Sequence, residues 1–219
     1  MRMRNKPWAG PELDACPFFE RSPWEWKGRW KVRFSQERPM CLELGCGKGY
    51  LLAGLAPAHP EYNYIGVDMK DAVLAPAKRV VEAAFAEAAV ENVALLAWDI
   101  ERLSAIMDES DRMERIYICF CNPWPRPKHY KRRLTHPRQL ALYKPLLAPG
   151  GEIWFKTDDD PLFQDSLHYF EEAGFTLKRV TYDLHSEPDW ENVVTEHERM
   201  FTEKGIQIKA LVATLNSNV

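Results

Sequence analysis

The sequence predicts an α/β fold: a mostly parallel sheet covered by helices on both faces. Three observations lead there. Short apolar runs alternate with helix-compatible segments from Met40 onward. A glycine-rich turn follows the first of these runs directly. Acidic residues recur where successive strands end, the rim at which open α/β sheets hold ligands.

The elements follow in order. Residues 40–44 (MCLEL) form a short apolar strand, and residues 50–58 after the glycines suit a helix. Residues 62–68 (YNYIGVD) form a second strand, and residues 71–89 repeat Ala, Val and Glu at helical spacing. Residues 93–99 are a third strand. Residues 115–121 (RIYICFC), rich in β-formers, are a fourth. Residues 152–158 follow a Pro149-Gly150-Gly151 turn as a fifth. Residues 161–173 read as a helix stopped by Gly174. Residues 175–184 and 206–215 supply two more strands, seven in all. Only a turn and a short helix separate the last two, so one of them is expected to run antiparallel. Residues 1–39 differ: Trp8, Trp24, Trp26 and Trp30 stand among Pro and Arg. They read as an N-terminal extension to a domain at residues 40–219. Each Trp either anchors that tail or lies beside a ligand.

Composition narrows the class. At 219 residues with 46% hydrophobic and 28% charged side chains, the chain is an ordinary globular protein. No run reaches the ~20 apolar residues of a membrane helix, and MRMRNKPWAG has no secretory core, so a cytoplasmic protein is expected. Five cysteines with no C-x-x-C pair disfavour disulfides and zinc, and the histidines lack metal spacing, so no metal is assigned. The net charge of -3 conceals segregation: residues 126–144 hold seven basic and no acidic side chains. Such a block implies an anionic partner at that place.

The glycine turn is Glu43-Leu44-Gly45-Cys46-Gly47-Lys48-Gly49. Its spacing lacks the third glycine of a dinucleotide fingerprint, because position 50 is Tyr50, and no G-K-[ST] follows. Asp68 ends the second strand and suits a ribose diol, and Asp99 ends the third. Glu43 would repel a pyrophosphate and attract a cation. S-adenosyl-L-methionine carries a sulfonium, an ammonium and no phosphate, so the charges favour it over a nicotinamide dinucleotide. Gly45, Gly47, Gly49, Glu43, Asp68 and Asp99 are therefore the candidate donor-binding residues.

The series ELGCGKG, IGVD, AWD, NPWPRPKHYKRRL, FKTD and TEHERMFTEKG, with RMRNKPWA at the start, resembles the bacterial tRNA (guanine-N7)-methyltransferases over almost the whole chain. The PWP block with its KRR and the late T-x-x-E are the specific parts. The resemblance implies a Rossmann-like class I methyltransferase that methylates N7 of a guanosine in the variable loop of tRNA. It implies S-adenosyl-L-methionine as donor and no obligate protein partner, with monomer and homodimer both open. It places Glu43, Asp68, Asp99 and Asn122 at the donor. It places Arg126, where the family usually has lysine, and Lys128, His129, Lys131, Arg132 and Arg133 at the RNA. Asp158 and Thr195, Glu196, His197 and Glu198 stand where the family contacts the nucleotide. One departure bears on catalysis: the family has Asp before PWP, and this chain has Asn122.

The chemistry asks little of a side chain. Guanine N7 has an exposed lone pair, so no general base is needed, and positioning is the main contribution. A carboxylate at position 122 would also stabilise the positive charge that develops on the purine. Asn122 offers only a dipole, so it is expected to keep positioning and lose that help; capping of a strand end is its structural alternative. The basic residues suit phosphate contacts. Trp124 either stacks on a base or packs between prolines. Thr195 and Glu198 match a helix capping box, and Glu198 also matches the N1–H and N2–H2 edge of guanine. Asp160 before Pro161 suits a helix cap. Two other functions stay open: methylation of an exocyclic amine, whose enzymes use Asn/Asp-Pro-Pro-aromatic, and RNA binding without turnover.

Overall fold

A computed structural model describes residues 6–216; the first five residues of the predicted extension lie outside them. The chain divides into two compact units at Asp111/Arg112.

The first unit contains helix α1 (Ala9–Asp14) and strands β1 (Phe19–Glu20) and β2 (Met40–Leu44). Helix α2 (Tyr50–Ala58), strand β3 (Asn63–Asp68), helix α3 (Asp71–Ala84) and strand β4 (Val93–Ala97) follow. The strand order is β1–β4–β3–β2, and every pair is parallel. All five residues of β2 are buried, as expected of a strand covered on both faces. In that register Glu43 lies beside Gly66, and Asp68 beside Ala97.

The extension belongs to this unit. Phe19 and Glu20 pair with Leu95 and Leu96, adding a strand not expected from the sequence. Helix α1 docks on α3, where Arg79 meets Glu12 at 2.6 Å and lies over the Trp8 ring. Trp30 is fully buried, and its indole donates to the Ile106 carbonyl at 2.7 Å. The buried Asp111 accepts backbone N–H bonds from Gly28, Trp30 and Asp108. Burial raises the Asp111 pKa, and those donors oppose the shift. Trp30 is thus an anchor, whereas Trp24 is 52% exposed and lies tilted against Trp98.

The second unit contains β5 (Met113–Cys119), α4 (Pro137–Tyr143), β6 (Leu147–Thr157) and α5 (Asp160–Glu172). Strand β7 (Phe175–Thr181), helix α6 (Glu196–Thr202) and strand β8 (Lys209–Leu215) follow. β5 and β6 are parallel, while β8 runs antiparallel to both β6 and β7. Among the described residues β8 is the one antiparallel strand. The described residues therefore hold eight strands rather than seven. β6 also begins five residues early, because Pro149-Gly150-Gly151 lies inside it as an irregularity and not before it as a turn. A Cβ at Gly151 would come within 2.8 Å of the Met113 carbonyl oxygen, so the close approach needs glycine. Gly174, at φ 79°, ends α5 as expected. The cap at its start is Asp159, which accepts from Leu162 N–H at 2.7 Å; Asp160 lies one residue inside and pairs with Lys209.

Replacing Trp30 by Ala empties a fully buried site and leaves the Ile106 carbonyl without its indole donor. The expected cost is about 3–5 kcal/mol, read as a shift in the urea unfolding midpoint of the full chain.

Candidate active site

Of the donor-side candidates, the glycines, Glu43, Asp68 and Asp99 lie in the first unit at the carboxyl ends of β2, β3 and β4, and Asn122 lies in the second. Gly45 and Cys46 both donate their N–H to the Val67 carbonyl at 2.9 Å, which folds the turn back on β3. Gly47 N–H donates to Asp68 Oδ2 at 3.2 Å. Gly45 and Gly47 have φ of 81° and 52°, and a Cβ on either would meet nothing within 4 Å. The backbone there is open to a ligand. Gly49 differs from both, because it opens α2 at φ 73° and a Cβ would press on Ala77 at 3.1 Å.

Carboxylates give the surroundings of the turn a negative field. Glu43 is 4% exposed within β2. Burial raises the Asp68 pKa against the backbone N–H groups that lower it. Burial, then the Glu43 and Asp68 charges, push the Cys46 thiol well above its usual pKa. Asp99 accepts Glu101 N–H at 3.0 Å and caps the short helical turn after β4. Three carboxylates around an open glycine turn fit a ligand with a diol and positive charge, and they oppose a pyrophosphate. The residues thus suit S-adenosyl-L-methionine.

The second unit holds the rest. Two non-glycine residues after β5 adopt left-handed backbone, Phe120 at φ 52° and Trp124 at φ 43°. Such conformations persist only where the surroundings impose them. Asn122 stands between them, exposed, with Oδ1 accepting Trp124 N–H at 3.0 Å. The chain then makes a short helical turn, Pro127–Arg132. Arg126, Lys128, Lys131 and Arg132 are exposed along it. His129 lies against the Trp124 ring at 5.6 Å, and the Arg132 guanidinium is 5.1 Å from that ring. Desolvation, then Lys128, Arg132 and Arg126, lower the His129 pKa.

Arg133 departs from the pattern. It is 1% exposed, and so does not face phosphate as the sequence suggested. Its Nε donates to the Pro123 carbonyl at 2.7 Å, its guanidinium meets Asp165 at 2.5 Å, and it lies 3.6 Å from the Tyr130 ring centroid. This arginine ties the basic loop and the segment beside Asn122 to α5.

Glu198 departs likewise. It is fully buried, with Oε2 accepting Lys156 Nζ at 2.6 Å and Oε1 accepting Asn192 Nδ2 at 2.6 Å. His185 Nε2 lies 3.0 Å from Oε1. The capping box is complete: Thr195 Oγ1 accepts Glu198 N–H, and Thr195 N–H donates to Glu198 Oε2. Thr195 is buried with it in the cap the sequence suggested, and Glu198 does not face a guanine edge as its charge had suggested. Glu196 is half-buried and His197 exposed. Asp158 is half-buried, its pKa raised by burial and then by Asp159, with Lys209 and His197 opposing.

A family model described as "Putative methyltransferase" matches residues 37–211. The tRNA (guanine-N(7)-)-methyltransferase of Clostridium beijerinckii is 56% identical over 215 residues, covering 97% of this chain and 98% of that one. The enzyme of the same name from Ruminiclostridium cellulolyticum is 50% identical over 222 residues, 100% and 94% of the two chains. This chain belongs to the tRNA (guanine-N(7)-)-methyltransferase family. Among solved structures, the 16S rRNA methyltransferase KamB superposes with a TM-score of 0.60 at 14% identity, covering 98% of this chain and 95% of that chain. A 16S rRNA (adenine(1408)-N(1))-methyltransferase from Catenulisporales acidiphilia, solved with the cosubstrate SAM, gives 0.59 at 16% identity over 91% and 94%. These likenesses show the Rossmann-like class I methyltransferase fold: a mostly parallel sheet with an antiparallel strand and helices around it.

Within this family member, sequence reasoning missed Lys156, Asn192 and Phe120. A signal for Lys156 was present: a lysine at the end of the apolar run Ile153-Trp154-Phe155 needs a buried counter-charge. No comparable signal marked Asn192. Replacing Arg133 by Ala removes the bond to the Pro123 carbonyl and the Asp165 contact together. The expected loss is about 2 kcal/mol, discounted because Asp165 is 40% exposed. Thermal unfolding reads it, and an unchanged midpoint would return Arg133 to the RNA-binding set.

Proposed function

We propose that this chain transfers a methyl group from S-adenosyl-L-methionine to N7 of a guanosine in the variable loop of tRNA. The observation that carries the reading is the segment 120–132 of a chain in this family. It joins a strained turn presenting Asn122 to four exposed cations, with no carboxylate between them. The methyl donor is S-adenosyl-L-methionine, which when bound supplies an electrophilic methyl on a sulfonium. Glu43, Asp68 and Asp99 hold it with the open backbone of Gly45 and Gly47, while Gly49 starts the helix behind them. Residues 1–39 serve as an N-terminal extension to the methyltransferase domain at 40–219.

The chain's own residues mainly position. N7 already carries a lone pair, so no side chain removes a proton from it. Asn122 Oδ1 accepts Trp124 N–H, which orients the amide and its Nδ2 donor. An amide N–H suits guanine O6, the acceptor beside N7. Arg126, Lys128, Lys131 and Arg132 hold RNA phosphates, with His129 and Trp124 as the aromatic floor beneath Arg132. Asp158 and the exposed His197 remain the groups beside the nucleotide.

Labelled donor with bulk tRNA, followed by nucleoside analysis, is expected to give 7-methylguanosine. Another methylated base, or no label, overturns the reading. In the same assay Asn122→Asp sets two effects against each other. It removes an amide donor worth about 1 kcal/mol and adds a charge beside the developing purine cation worth about 4 kcal/mol at close range. Position 122 is exposed, so solvent screening cuts the charge to about 2.4 kcal/mol, and the net gain of about 1.4 kcal/mol should raise single-turnover methylation about tenfold; a rate that stays level or falls shows that charge at position 122 is not limiting. Changing Lys131 and Arg132 to Ala should lower the slope of log affinity against log salt by about 1.5. S-adenosyl-L-methionine affinity should not move.

A further inference from the structure

We propose that the buried Lys156–Glu198 ion pair and the rings it holds are a brace that fixes the left-handed backbone of Phe120, and thereby positions Asn122. The inference rests on the function proposed above and assigns Lys156, Glu198 and Phe120 as positioning residues. Lys156 uses its three ammonium protons within the protein, on Asn192 Oδ1 at 2.7 Å, the Val193 carbonyl at 2.8 Å and Glu198 Oε2 at 2.6 Å. Glu198 stands in the first turn of α6, so the pair pins that short helix to β6. His197 and Phe201 sit on the same helix, and both rings stack on Phe120, at 6.3 Å and 6.0 Å with interplanar angles of 19° and 21°.

Phe120 is held from its other sides too. Its N–H donates to the Lys156 carbonyl at 2.9 Å, and the Lys156 ammonium lies 5.8 Å from its ring centroid. The ring also packs on the apolar cluster of Leu184, Trp190, Ile208, Ala210 and Val212. A phenylalanine has no intrinsic reason to adopt φ 52°. The packing of its ring must impose it, and Asn122 follows two residues later. Fully buried and ligated by Lys156 and Asn192, Glu198 has no oxygen to spare for guanine. It acts through the backbone of Phe120 instead.

The test compares Phe120→Ala with Phe120→Gly in the full chain. If the ring matters for the contacts it makes, neither Gly nor Ala restores them and both fall well below the unmodified chain. If the ring enforces φ > 0, Gly adopts that conformation without help and Ala does not. Phe120→Ala should then lower single-turnover methylation at least tenfold, while Phe120→Gly stays within about threefold of the unmodified chain. Glu198→Gln should lower kcat about tenfold and change the KM for tRNA less than twofold, whereas a guanine contact would raise KM. Glycine no better than alanine, or an effect of Glu198→Gln on KM alone, overturns the brace. Thermal midpoints of the two Phe120 variants give the same ordering without any assay of methylation. An unmodified chain that makes no 7-methylguanosine therefore defeats the functional reading, and the midpoints still decide the brace.

Discussion

A buried cation must carry its own counter-charge, and the second unit is organised by that constraint. Lys156 and Arg133 both lie inside the protein. Removing a charge from water costs several kcal/mol, and each residue offsets that cost with nearly complete ligation. Lys156 finds a carboxylate, an amide oxygen and a carbonyl; Arg133 finds a carboxylate, a carbonyl and an aromatic face. The bonds they make reach both flanks of Asn122: Lys156 through the backbone of Phe120, Arg133 through the Pro123 carbonyl. A hydrophobic side chain at position 133 would leave the Pro123 carbonyl without its directed bond, whereas the bond from Phe120 N–H to the Lys156 carbonyl is backbone to backbone.

The first unit solves a different electrostatic problem. Its carboxylates crowd the rim of a parallel sheet, and burial, with the Glu43 and Asp68 charges behind it, holds the Cys46 thiol well above its usual pKa. Their field is tolerated because the backbone N–H groups of Gly47, Met69 and Lys70 partly satisfy Asp68. Anionic rim and cationic loop are thus separate in the sequence and distinct in chemistry: one suits a small cation, the other a polyanion.

Much of this was legible beforehand. The β2–α2–β3–α3–β4 run follows from apolar periodicity and glycine placement, which are local signals. The three acids at strand ends were found because position along a parallel strand decides exposure at its tip. The two-residue β1 was not legible, since Phe19-Glu20 becomes a strand only through its pairing with Leu95-Leu96. Arg133 and Glu198 were misplaced for one reason: sequence shows a charge but not its partner. The basic residues of the loop read alike, yet the second of two adjacent arginines turns inward to Asp165 while the first stays in solvent. Glu198 satisfied both a cap motif and a family motif, and its burial beneath Lys156 depends on a residue 42 positions away. The left-handed turns at Phe120 and Trp124 had no signal either, because neither residue type favours them.

The short pairing of Phe19-Glu20 along Leu95-Leu96 has a consequence for how the molecule is made. A strand of Val93-Ala94-Leu95-Leu96 with an open flank is a template for pairing with another chain. Here the cover is encoded upstream of the strand it shields, so a ribosome releases the shield first and the vulnerable edge never emerges without it.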